Sequence, residues 1–304
     1  MKYICAQPAV KYFAWQIEVL IYSLTNNGVN QKDIHIVNGM KDLQIDSYFS
    51  VVQQKYPNVV FEFYKDDRDY WMYQPSIKPH LMHKHYIKYP ELQNETIFFV
   101  DSDIALTKPI DFNPMLNDDV WYLSNTNSYL NYDYIISKGR DVLNIMLQTA
   151  NISEYLIKNN NNNSGGAQYL LKNVNTMFWK EVQDLSERLY INLTEYYSTQ
   201  PPAKDGDHHL QVWTSEMWAM IWTAWKKGKM TLLHPNLDFC WATDNIEEWD
   251  KKSIYHDAGV TCGCQNLFKK HTYSTKIPDL NLNIDNSKCS FNYYDILKKA
   301  LTYK

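Results

Sequence analysis

Along the first hundred residues the apolar positions switch between two periods. Residues 3–6 form a short apolar run. Residues 12–24 then carry apolar side chains at helical spacing, up to a stop at Asn26-Asn27-Gly28. The alternation repeats, predicting strand at 33–37, helix at 45–55, strand at 59–64 and helix at 78–89. Such a sequence of elements predicts an α/β fold with a mixed, mostly parallel central sheet flanked by helices. Residues 96–100 form the most apolar strand of this half and run directly into Asp101-Ser102-Asp103. Ligands of open α/β sheets bind beyond the carboxyl ends of the strands, so chemistry is expected at this point.

Beyond Trp121-Tyr122-Leu123 the pattern is less regular. It predicts a helix at 142–149, a polar loop at 159–163 and a strand opened by Gly165-Gly166-Ala167-Gln168. Helices follow at 176–189, 215–226 and 293–301. No internal repeat or linker interrupts the chain. One domain is expected over residues 1–271, with halves at 1–125 and 126–271, and an extension at 272–304 that packs on the body.

Composition narrows the function classes. The 304 residues are 45% hydrophobic and 21% charged, values of an ordered globular chain. The nine glycines assemble neither G-x-G-x-x-G nor G-x-x-x-x-G-K-[ST], so a metal or side chains must hold the phosphates of any bound nucleotide. A net charge of −4 gives no general attraction for nucleic acid or an anionic membrane. The five cysteines form no C-x-x-C pair, so reduced thiols are expected, and Cys262-Gly263-Cys264 reads as ordinary residues. No window approaches the ~18 apolar residues of a membrane span and no signal peptide is visible, so a cytoplasmic location is expected.

Phe98-Phe99-Val100-Asp101-Ser102-Asp103 places two carboxylates where a buried strand emerges. Hard oxygen ligands so spaced can hold Mg²⁺ or Mn²⁺, which neutralises a diphosphate; the competing reading is a turn or cap. The strand, the D-x-D and Lys108-Pro109-Ile110 resemble the metal-binding segment of GT-A fold glycosyltransferases. Tyr73-x-Pro75-Ser76-Ile77-Lys78-Pro79 followed by a helix, Trp213-Thr214-Ser215-Glu216-Met217-Trp218-Ala219, and Ile254-Tyr255-His256 resemble, in that order, segments of the peptidyl-serine galactosyltransferases and hydroxyproline O-arabinosyltransferases. The Asp257-Ala258-Gly259-Val260 stretch after them has no match in that family.

The resemblance implies a GT-A domain with its nucleotide-sugar half at 1–125 and its acceptor half at 126–271. It implies Mn²⁺ or Mg²⁺ held by Asp101, Asp103 and His256, and a UDP-sugar donor. The sugar, galactose or arabinose, passes to a hydroxyl of a protein, a glycan or a modified DNA base, with retention. An Asn-, Lys-, Tyr- and Ile-rich composition suits a viral or phage member. Donor contacts are expected from Lys78, Ser102, Asp66, Asp67 and Gln7. For Lys78 a solvated lysine before Pro79 weighs equally, and for Asp66-Asp67 a solvated turn does.

The catalytic candidates are Glu216 and Gln168. Glu216 opens a helix so apolar that it must be largely buried; its carboxylate either aims at the sugar or acceptor, or serves the helix dipole alone. His80, His83 and His85 are expected on an exposed helix face, and most of Trp213, Trp218, Trp222 and Trp225 in the core. Two other functions remain open. One is a two-metal phosphodiester hydrolase or nucleotidyltransferase, with Glu216 or Asp111 as a third carboxylate. The other is a non-catalytic carbohydrate-binding protein.

Overall fold

The computed structural model describes residues 1–203, 208–260 and 266–303. The chain divides into two compact units, Met1–Asp66 with Ile97–Pro114 and Pro235–Lys304, and Asp67–Thr96 with Met115–His234. In chain order the strands are β1 Lys2–Pro8, β2 Ile34–Met40, β3 Val60–Lys65, β4 Ile97–Val100, β5 Ile104–Leu106, β6 Trp121–Asn125, β7 Gly165–Leu171, β8 Thr231–Leu233, β9 Phe239–Trp241 and β10 Ile254–His256.

In the first unit β1 lies between β2 and β4, parallel to both, and β3 continues the sheet parallel to β2. The helix Lys11–Asn26 returns the chain from β1 to β2. Ten of its residues are buried, which its apolar spacing foretells. A second, small sheet follows β4 in sequence: β10 pairs antiparallel with β5 and parallel with β9. Trp15, Ala105, Tyr255, Phe268, Tyr273, Tyr293 and Leu297 share one apolar cluster. The C-terminal helix Cys289–Thr302 is thus a wall of this core.

In the second unit β6 runs antiparallel to β7 and parallel to β8. The helices Ile77–Lys88 and Ser215–Lys226 both pack on Thr176–Ser198. Thr176–Ser198 starts at the predicted residue, capped by the Asn175 side chain, which accepts from the Phe178 amide at 2.8 Å. It outruns the predicted end because Leu193 remains buried beyond Leu189. The polar loop expected at 159–163 is instead half-buried helical turn, because Asn160 and Asn161 side chains bond Leu156 and Asp133. The expected parallel strands flanked by helices dominate the first unit, while the second pairs β6 with one antiparallel and one parallel neighbour, so the strands as a whole are mostly parallel.

Gly165 lets β7 lie close to β6. A Cβ at Gly165 would stand 2.6 Å from the Ser124 carbonyl oxygen and closer still to Leu123 Cβ. The register shifts between Leu123 and Ser124, and Ala167 takes a φ of 67°, so the strand bulges just before Gln168. Gly165→Ala should therefore destabilise the protein by about 1–3 kcal/mol, as overpacking against a fixed backbone does. Urea unfolding measures this, and an unchanged midpoint would refute the close approach.

Candidate metal centre and a buried ion pair

β4 is buried along its whole length and ends at Val100. The chain turns through Asp101-Ser102-Asp103 and enters β5 of the small sheet. β10 lies beside β5 with His256 opposite Ile104, and the Asp257 amide donates to the Asp103 carbonyl at 2.9 Å. That register carries the His256 ring to the aspartates, with Nε2 3.3 Å from Asp103 Oδ1. One ligand atom from each of Asp101, Asp103 and His256 lies within 4.8 Å of the other two. The ring is held by Trp241, stacked at 5.8 Å, and by the edge of Phe239 at 5.2 Å, both on β9.

Two further residues complete the charge pattern. Lys270 opens the turn Lys270–Tyr273, and its ammonium donates to Asp103 Oδ2 and to the Asp257 carbonyl. Burial alone would raise the Asp103 carboxyl pKa, but Lys270 and His256 reverse this and hold it well below the usual range. Burial alone would lower the Lys270 pKa; Asp103 and Asp257 reverse that too and hold it raised. Asp257 is fully buried, and neither carboxylate oxygen has a hydrogen-bond partner among the described residues. Burial pushes its pKa up to about 7, against the pull of Lys270.

Two carboxylates and an imidazole form a donor set that could hold a divalent cation, and Asp101 is half-buried. Asp111, considered above as a third carboxylate, is exposed, and its Oδ1 accepts from the Asn113 amide to cap a turn.

The donor candidates of this unit fall near the carboxyl ends of its parallel strands. Gln7 is buried on β1 opposite Asn38, and Asp66 follows β3 with its amide donating to the Met40 carbonyl at 2.9 Å. Asp101 follows β4, so the three share one sheet edge. Ser102 is buried, and its hydroxyl donates to Gln16 Oε1 at 3.4 Å.

The second unit holds the other candidates. Glu216 is buried at the first turn of Ser215–Lys226, as its neighbours required, with Oε2 2.9 Å from Lys78 Nζ; the two side chains are 2% and 13% exposed. Lys78 is therefore not a solvated lysine. The Tyr73 hydroxyl accepts from the Glu216 amide at 2.8 Å and donates to the Trp213 carbonyl at 2.7 Å, tying down the helix start. Gln168 is fully buried and accepts from the Ser124 hydroxyl at 2.6 Å. Asp67 is exposed, and its Oδ1 pairs with Lys84 and with His80 Nε2 at 3.0 Å.

One expectation is overturned on the helix Ile77–Lys88. His80 and His85 are buried rather than on an exposed face. His80 Nδ1 lies 3.2 Å from Gln183 Oε1 of the packed helix Thr176–Ser198, and His85 tilts against Tyr89. Trp218, Trp222 and Trp225 are core, whereas Trp213 is 59% exposed. Cys5, Cys240 and Cys289 are buried and free of disulfides, while Cys262 and Cys264 lie outside the described residues. No helix among the described residues is long and apolar enough to cross a membrane. Lys270 and Asp257 escaped the sequence reading. Asp257 adjoins His256 and could have been flagged, but only the tertiary return of Lys270 reveals its role.

No protein-family model and no curated protein sequence matches the chain. Among solved structures it is similar to the bifunctional glycosyltransferase WbbM at 12% identity, with TM-score 0.47 over 86% of this chain and 46% of that one. This chain thus spans about half of WbbM's length. It is similar to the galactosyltransferase LgtC, solved with donor and acceptor sugar analogues, at 8% identity and TM-score 0.45, covering 98% and 95% of the two chains. Mouse xyloside xylosyltransferase 1 aligns at 10% identity and TM-score 0.41, over 84% of this chain and 97% of its own.

Breaking a buried pair from one side costs roughly 3–5 kcal/mol, whereas replacing both members costs far less. Glu216→Gln should therefore lower the melting temperature, and the double variant Glu216→Gln with Lys78→Met should recover most of that loss. Additive losses in thermal melts would contradict a direct pair.

Proposed function

We propose that the chain is a metal-dependent glycosyltransferase of GT-A type that moves a sugar from a UDP-sugar to a hydroxyl acceptor. The observation that carries this reading is the convergence of Asp101, Asp103 and His256 at the carboxyl end of β4. Those three are also the residues that the family resemblance implies. Turn capping alone does not explain the stacked, oriented imidazole. Galactose or arabinose as the sugar, and retention of configuration, rest on the resemblance.

Asp101, Asp103 and His256 would hold the cation through two carboxylates and Nε2. A divalent ion there supplies Lewis-acid stabilisation of the charge that develops on a departing diphosphate. Gln7 and Asp66, on the same sheet edge, are placed to bond the base or ribose of the donor. Glu216 is the proposed catalytic carboxylate. Lys78 pairs with it and Tyr73 fixes its backbone, and its proposed role is to orient the sugar or take the acceptor proton. Gln168, beside the β7 bulge, remains a candidate donor of hydrogen bonds to the sugar.

UDP release from a panel of UDP-sugars with Mn²⁺ against EDTA tests the reading. Asp101→Asn is a metal-site variant that leaves the Asp103–Lys270 pair intact. It should lower Mn²⁺-dependent release by roughly tens-fold or more, by analogy with losses of metal-supporting groups, while the melting temperature holds. Full turnover of every donor in that variant would exclude the site. For Glu216, the stability-restored double variant decides: turnover should remain about 10²-fold down or more if the carboxylate is catalytic. Recovery of turnover with stability would make the pair structural.

A further inference from the structure

We infer that Lys270 is a tethered cation which occupies the Asp103 arm of the metal centre, so that a divalent ion and this ammonium compete for Asp103 Oδ2. The inference rests on reading Asp101, Asp103 and His256 as a cation site. Lys270 is 5% exposed, and its Nζ contacts Asp103 Oδ2 and the Asp257 carbonyl. Asp103 Oδ1 faces His256 Nε2, so each carboxylate oxygen already meets a protein group. A divalent ion held by the Asp103 carboxylate would stand near the ammonium in a poorly solvated place. Two like charges at that range repel strongly, and one of them must yield.

The side chain is the part that can yield. The backbone about Lys270 is pinned: Trp15 Nε1 donates to the Tyr273 carbonyl at 3.1 Å, Tyr273 stacks on Phe268 at 5.5 Å, and His271 stacks on Tyr12 at 6.2 Å. The ammonium therefore swings on a fixed stem. Without an ion, Lys270 compensates the buried acidic group, and the unit folds without metal. With an ion, it gives up Asp103 and keeps its compensating charge next to whatever anion the ion binds. Lys270 is thus the residue that sets the affinity of the centre, holding it low until both the ion and an anionic partner are present.

Mn²⁺ alone is the probe, with binding followed by the electron paramagnetic resonance of the free ion. Lys270→Met should bind Mn²⁺ roughly ten-fold tighter or more than wild type, as removal of an adjacent like charge in a buried site predicts. The same variant should melt lower in EDTA and regain stability on adding Mn²⁺. Lys270→Gln, which keeps a donor for the Asp257 carbonyl, should behave likewise, and Lys270→Arg should bind as wild type does. If the neutral variants do not fold, the wild type decides: acetylation of the Lys270 amine, read by peptide mass, should accelerate when Mn²⁺ is added. Equal or weaker Mn²⁺ binding by folded neutral variants, or unchanged acetylation in wild type, overturns the competition and leaves the metal site standing. Absence of Mn²⁺ binding in every protein, wild type included, overturns the metal site and the competition together.

Discussion

The pairing of β10 with β5 is the constraint on which the first unit's chemistry depends. β5 is three residues long and begins one residue after Asp103, so its register decides what faces the acidic turn. A slip by one residue would send His256 to the opposite face of the small sheet and bring Asp257 forward in its place. The backbone bond from the Asp257 amide to the Asp103 carbonyl extends the pairing past the end of the strands and locks that register. Trp241 and Phe239 on β9 then confine the imidazole from the other side. Asp103 and His256 are thus oriented by main-chain hydrogen bonds and ring packing.

Much of this was legible in the chain because it is local. Strand β4 reads as four apolar residues, and the turn after it carries its carboxylates in plain view. The helix Ser215–Lys226 is so apolar that Glu216 could only be buried. What was illegible is what depends on distant returns of the chain. Nothing in the residues around Lys270 distinguishes it from Lys269, yet one ammonium is buried on Asp103. His80, His83 and His85 resemble a polar helix face because lysines are interleaved with them. The packing of Thr176–Ser198 against that helix buries two of the three, and Gln183 supplies the polar partner that makes His80 tolerable there.

Three lysine–carboxylate pairs with a largely buried acid show how structure and chemistry separate. Glu18 is fully buried, but Lys55 and the Tyr48 hydroxyl both donate to it, one on each oxygen. It is a closed arrangement between the helices Lys11–Asn26 and Tyr48–Lys55, and it has the form of a structural pair. Asp103 is bound by Lys270 and faced by His256, yet it adjoins the half-exposed Asp101 at the edge where ligands of this fold class bind. Glu216 is held by Lys78 on one oxygen, and its backbone is bound by a tyrosine from a separate segment. A buried ion pair is seldom a better stabiliser than apolar residues of equal volume. Stability alone therefore gives little reason to place charge at Asp103 or Glu216. Both oxygens of Glu18 are met by donors of one neighbouring helix, whereas Asp103 adjoins the half-buried Asp101 and the first turn at Glu216 is anchored by a separate tyrosine, which is the arrangement that the proposed metal and catalytic roles require.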